Sequence, residues 1–157
     1  MTATLKSVIE LKKTIQIKIG NEIFQIPNDL SEMVSEIKDS EKILDLEYDW
    51  DSERALPVPQ FVWERAAKTL IIYSKWIWEN RGIKLVIPSI DALADGSVDI
   101  MWNGTKGRLL LNIRNLSSSE AHYYGDTYEG KNKFKGVVEN LNEVQTFFAY
   151  WLTEFLQ

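Results

Sequence analysis

The sequence predicts an α+β fold: an antiparallel sheet of about four strands in a meander, two main helices on one of its faces, and an N-terminal β-hairpin followed by an acidic helix. Three observations carry this. Residues from about 59 to 79 are apolar around most of a helical circumference and open on proline, which suits a first helical turn. Residues 84–127 hold short alternating runs separated by turn signals. Residues 141–157 return to helical spacing. Strands grouped in one run and bracketed by helices place those helices on one side of an antiparallel sheet.

A chain of 157 residues suits one domain with a real core. It divides into a hairpin (14–27), an acidic helix (29–44), a joint (45–59) and a helix–meander–helix unit (60–157). Six Trp, six Tyr and six Phe supply generous burial area. The absence of cysteine excludes disulfides, thiolate metal sites and a cysteine nucleophile. The first six residues lack the apolar core of a signal peptide, and the longest apolar run, Thr69–Tyr73, is too short to span a bilayer. The expectation is a soluble cytoplasmic protein. The net charge of −5 is unevenly spread. Residues 28–54 hold ten acids and three bases, a local −7, so the remainder carries +2. That balance opposes duplex DNA binding, which rests on phosphate neutralisation, and favours a basic protein partner.

In the first hairpin, Ile15, Ile17 and Ile19 alternate with Gln16 and Lys18. Counting outward from a Gly20-Asn21 turn places Ile17 opposite Phe24 and Ile15 opposite Ile26. Asp29, with Glu32 three residues on, has capping-box spacing for a helix whose stripe is Leu30, Met33, Val34 and Ile37. In the central helix, Trp63, Ala66, Ala67, Leu70 and Ile77 form one face, and Asn80-Arg81-Gly82 supplies the stop. The meander strands fall at about 84–93, 97–102, 108–114 and 120–127. A three-residue turn, Ala94-Asp95-Gly96, puts Ile90, Ala92, Val98, Ile100 and Trp102 on one face and sets Asp91 opposite Asp99, where like charges repel. On the third strand Leu109, Leu111 and Ile113 point inward, and Arg108, Leu110, Asn112 and Arg114 outward. Residues 130–136 read as a basic, glycine-bounded loop. Asn140 and Glu143 have capping spacing for a last helix from Leu141, with Leu141, Val144, Phe148, Leu152 and Phe155 as its buried stripe.

The joint alternates acids at 45, 47, 49, 51 and 53 with Leu46, Tyr48 and Trp50. Extended, it would set carboxylates on one side and apolar groups on the other. Trp50 is expected to be a buried anchor with its indole N–H bonded. An EF-hand reading fails, because Trp50 falls where that loop needs glycine. The run Tyr48-Asp49-Trp50-Asp51-Ser52, then Ala55 and Pro57, resembles the Gly-Trp-Asp-Gly-Tyr-Gly-Ala-x-Pro loop of a family of small uncharacterised prokaryotic and phage proteins. Pro88, Ile90, Asp95, Gly96, Val98, Ile100 and Trp102 continue the likeness, which covers roughly 45–125. At the family's glycines and tyrosine this chain has Asp49, Ser52, Glu53 and Arg54. The resemblance implies a loop leading into a helix and a meander, rather than an activity.

No catalytic constellation stands out. His122 is the only histidine, and Ser117–Ser119 lack a nucleophile elbow. Asn103-Gly104-Thr105-Lys106-Gly107 lacks phosphate-loop spacing and reads as a hairpin turn. The expectation is therefore a non-enzymatic protein–protein interaction module of the immunity, antitoxin, inhibitor or adaptor type, without cofactor or metal. Asp49, Trp50 and Asp51 would act as a structural joint first and a contact surface second; a homodimer is a further expectation. The alternative is nucleic-acid binding or metal-dependent nucleic-acid processing on the open sheet face, using Asp91, Asp99, Arg108, Asn112, Arg114 and His122, with Lys131, Lys133, Phe134 and Lys135 extending it.

Overall fold

Alternation of isoleucines across a glycine-first turn builds the first hairpin, β1 (Thr14–Ile19) and β2 (Glu22–Pro27). Its register is the one counted from the turn: Ile17 opposes Phe24 and Ile15 opposes Ile26, with Gly20 at φ 60°. The computed structural model describes residues 13–130 and 132–156, without the side chain of Phe155. The expectations placed on Lys131 and on the Phe155 side chain lie outside it.

The acidic helix is shorter than the apolar spacing implied. A 3₁₀ turn over Asn28–Leu30 precedes α1 (Ser31–Ser40), and a second over Glu41–Asp45 follows it. The Asp29 cap does not form: neither element has a side-chain cap hydrogen bond, because the 3₁₀ turn already carries the chain into the helix. Met33, Val34 and Ile37 are buried. The helix ends on buried Ser40, whose hydroxyl donates to the Ile37 carbonyl (2.6 Å) and accepts the indole N–H of Trp63 (2.9 Å).

That indole belongs to α2 (Gln60–Arg81), which ends at Gly82 in the left-handed region, its N–H donating to Trp78 O. The predicted all-round burial holds for Val62, Trp63, Ala66, Ala67, Leu70, Tyr73 and Ile77. One physical reason is that α2 contacts both the first hairpin and the main sheet. The hairpin does not join that sheet; Lys68 and Glu22 tie it to α2 at 2.9 Å.

The main sheet has five antiparallel strands in simple order, one more than predicted: β3 (Ser89–Ala92), β4 (Val98–Asn103), β5 (Gly107–Ile113), β6 (Ala121–Thr127) and β7 (Lys133–Val138). The basic stretch read as a loop is β7. Gly136, read as the end of that loop, masked its alternation; it and Gly125 of β6 each make room for a ring. A Cβ on Gly125 would lie 2.3 Å from the Phe134 ring, and one on Gly136 would lie 2.4 Å from the Tyr123 hydroxyl oxygen. The three-residue turn forms as expected, with Gly96 at φ 83° and Asp91 opposite Asp99.

The last helix, α3 (Thr146–Phe155), starts five residues later than predicted. Asn140 caps a turn instead, its carboxamide oxygen accepting Asn142 N–H at 2.9 Å. Phe148 of α3 is fully buried at the centre of the core. It meets Tyr73 of α2 edge-on at 5.1 Å, Tyr123 of β6 at 5.0 Å and Trp102 of β4 at 6.4 Å. Among the described residues, no helix is long and apolar enough to cross a membrane.

Candidate functional site on the open sheet face

Because strand residues alternate, the inward rows of β3–β7 bury Ile90, Val98, Ile100, Trp102, Leu109, Leu111, Ile113 and Tyr123 under the helices. The outward rows form a grid. In the middle row Met101 opposes Leu110, Leu110 opposes Tyr124, and Tyr124 opposes Lys135. One row along, Asp91, Asp99, Asn112, His122 and Val137 stand in line across all five strands. On the other side of the middle row are Asn103, Arg108, Asp126 and Lys133. Tyr124 is 53% exposed, whereas Met101, Leu110 and Val137 are half-buried. Two shallow hollows flank Leu110 and Tyr124, one reaching Asn112, His122, Lys135 and Val137, the other Met101, Arg108 and Asp126.

One corner of this face is acidic. Asp99 is half-buried, and its carboxyl is pushed above the ordinary 3.8 by burial, against the opposing bond from Asn112 Nδ2 (2.7 Å), with Asp91 and Asp95 adding repulsion. Asp95 goes the other way. The Ser97 hydroxyl, donating at 2.5 Å, draws it down most; the Ser97 N–H (2.9 Å) and the positive charge of Arg114 help. Asn112 Nδ2 also reaches Ser97 Oγ at 3.2 Å, so the corner is one connected network. Arg108, by contrast, is committed: its guanidinium grips Asp126 with bonds of 3.1–3.2 Å.

The structure thus brings together Asp91, Asp99, Asn112 and His122, leaves Arg108 paired on the far side of the middle row, and puts Arg114 beside Asp95. Asn112 stands between Asp99 and His122. The serines do not join His122. Arg65 of α2 holds the carbonyls of Leu116, Ser117 and Ser118 at 2.5–3.1 Å, while the Ser118 hydroxyl accepts from Glu120 N–H. Among the described residues, no group of three or more His, Asp or Glu could hold a metal ion. Sequence reasoning placed Lys133 and Lys135 only as a loop extending the face and missed Val137, because β7 was not read as a strand. The Lys133-Phe134-Lys135 alternation was the available signal.

The joint is not extended. Its chain turns through left-handed residues at Asp49 (φ 67°), Ser52 (φ 63°) and Arg54 (φ 69°), the positions where the resembled loop carries glycine. Two of its five acids turn onto the loop backbone, and Asp45, Glu47 and Glu53 are exposed. Asp51 Oδ1 accepts the N–H groups of Glu53 (2.8 Å) and Ala55 (3.0 Å), and Asp49 Oδ1 accepts Arg54 N–H (2.7 Å). Trp50 donates its indole N–H to Leu56 O (2.9 Å) as expected, but its ring is half-buried rather than core, because it lies along the loop it braces. Leu56 N–H donates to Ala94 O (2.8 Å), docking the loop on the β3–β4 turn. Glu32 and Asp39 of α1 are exposed and Glu36 is half-buried; the two ion pairs among the described residues, Lys68–Glu22 and Arg108–Asp126, lie elsewhere.

Comparison with protein-family models, with curated proteins and with solved structures gives no match.

Proposed function

We propose that this chain is a non-catalytic protein-interaction module that takes its partner on the open face of the five-stranded sheet. The observation that carries this is the solvent-facing row Met101–Leu110–Tyr124, with Val137 beside it and charged or amide side chains on either side. An apolar, aromatic-bearing centre inside a polar rim is the anatomy of a binding patch. The acidic corner defines the partner's chemistry. Asp91 and Asp99 oppose each other, and a lysine or arginine brought in beside an apolar side chain would relieve that repulsion. Phosphate would gain little here, since Arg108 is spent on Asp126 and the aspartates repel it.

The test is capture of the tagged protein from its native host, with three forms side by side. Wild type and Asp39→Lys, a change at an exposed position of α1, should retain one stoichiometric basic protein. Leu110→Asp should lose it by about tenfold or more, while keeping a single cooperative thermal transition above the temperature of the capture, because Leu110 lies outside the buried inward rows. Retention by Leu110→Asp would move the interface off this face. Nucleic acid in place of protein would overturn the protein reading.

A further inference from the structure

The two edges of the main sheet are treated differently. Beside the β3 edge lies α1, and the joint docks just past it through Leu56 N–H on Ala94 O. The β7 edge pairs with β6 on one side, and no strand among the described residues pairs with its other side. An open edge is a template for another strand. Beneath this edge lies an aromatic cluster. Phe134 of β7 stacks on Trp151 of α3 at 4.6 Å, and Phe147 and Tyr150 pack around Trp151 at 5.6 and 6.0 Å. Phe147 remains 58% exposed and Tyr150 47%. We infer that β7 pairs antiparallel with β7 of a second copy, about a two-fold axis at Gly136, joining two five-stranded sheets edge to edge.

The charges select this register. For both helix layers to fall on the same side, directly opposed residues must share a face, so their numbers must add to an even sum. Centring the axis on Lys135 sets that lysine against itself, which repels. Centring it on Val137 leaves the Phe134 ring facing Asn140. Centring it on Gly136 opposes Phe134 with Val138, Lys135 with Val137, and Lys133 with Glu139, so both ends of the seam carry an opposite-charge pair. The aromatic clusters of the two copies then meet across the axis on the helix side. Self-complementary contact of one patch with itself is the geometry of a closed dimer. Both open faces emerge on one side, which gives a partner two adjacent binding rows.

The inference concerns the edge and holds whatever occupies the open face. Its test is mass in solution across a concentration series, by light scattering or sedimentation. Wild type should form dimers. Lys133→Glu and Glu139→Lys should each weaken the dimer by about tenfold, since two attractive pairs become repulsive. An equimolar mixture of the two variants should recover near wild-type affinity as a heterodimer, because every seam pair is again opposite in sign. A wild-type monomer up to about 1 mM, a dimer indifferent to both substitutions, or a mixture that fails to recover would each overturn it.

Discussion

At the residue scale, Asp99 concentrates the chemistry of the open face. Its carboxyl holds a proton to higher pH in the folded chain than in the unfolded one, chiefly because it is half-buried. The folded state therefore binds more protons in that window. Stability from this group is full below the ordinary value of 3.8 and falls as pH rises through the raised folded value. Asp95 has the opposite sign: its hydrogen bonds from Ser97 stabilise the fold above 3.8 and are lost as pH drops through the lowered value. Asp99→Asn keeps an oxygen for the Asn112 amide and removes the charge. Its melting temperature should exceed wild type at neutral pH, and the difference should shrink toward acid. Equal melting curves at neutral pH would show that the buried charge costs nothing.

At the element scale, the joint shows what sequence could and could not reveal. The positions of the apolar stripes, the first hairpin's register and the Ala94-Asp95-Gly96 turn were legible, because each follows from side-chain period and glycine chemistry. The conformation of the joint was not. Its alternation of acid and apolar groups has the period of a strand, but backbone N–H groups captured by Asp49 and Asp51 fold it into a tight loop. Likewise β7 was hidden by Gly136, which admits the Tyr123 ring of β6, and α3 begins late because Asn140 spends its side chain on a turn. On the candidate site, the outward rows of β4 and β5 could be read from alternation; the fifth strand could not. The left-handed residues give a prediction. Ser52→Gly should be neutral to stabilising, by up to about 1 kcal/mol, since glycine removes the left-handed penalty. Asp49→Gly should destabilise by about 1 kcal/mol or more, because the bond to Arg54 N–H is lost with the side chain. Denaturant midpoints for the pair distinguish a strained backbone from a bonded one.

At the scale of the whole molecule, Phe148 couples the layers. Its ring touches α2 through Tyr73 and the sheet through Tyr123 and Trp102, and Tyr73 in turn accepts Gln145 N–H at 2.9 Å just ahead of α3. Phe148→Ala should cost about 3–5 kcal/mol. If the layers share one core, tryptophan fluorescence and far-UV circular dichroism should still lose structure together, at a lower denaturant midpoint. Separate transitions would show that the helices and the sheet unfold independently. Arg65 adds a second long-range tie, clasping three successive carbonyls of the β5–β6 connection from α2 with its guanidinium over the Phe61 ring.

The paired rings and glycines of β6 and β7 also constrain the history of the sequence. The Phe134 ring fills the space a side chain at 125 would need, and the Tyr123 ring fills the space at 136. Neither glycine can be replaced alone without displacing an aromatic ring. A descendant that gains a side chain at 125 must trade Phe134 for something smaller, and the same bargain ties 136 to 123. These two couples should therefore drift together among distant relatives, leaving a paired signature in sequences too diverged to be aligned by their cores.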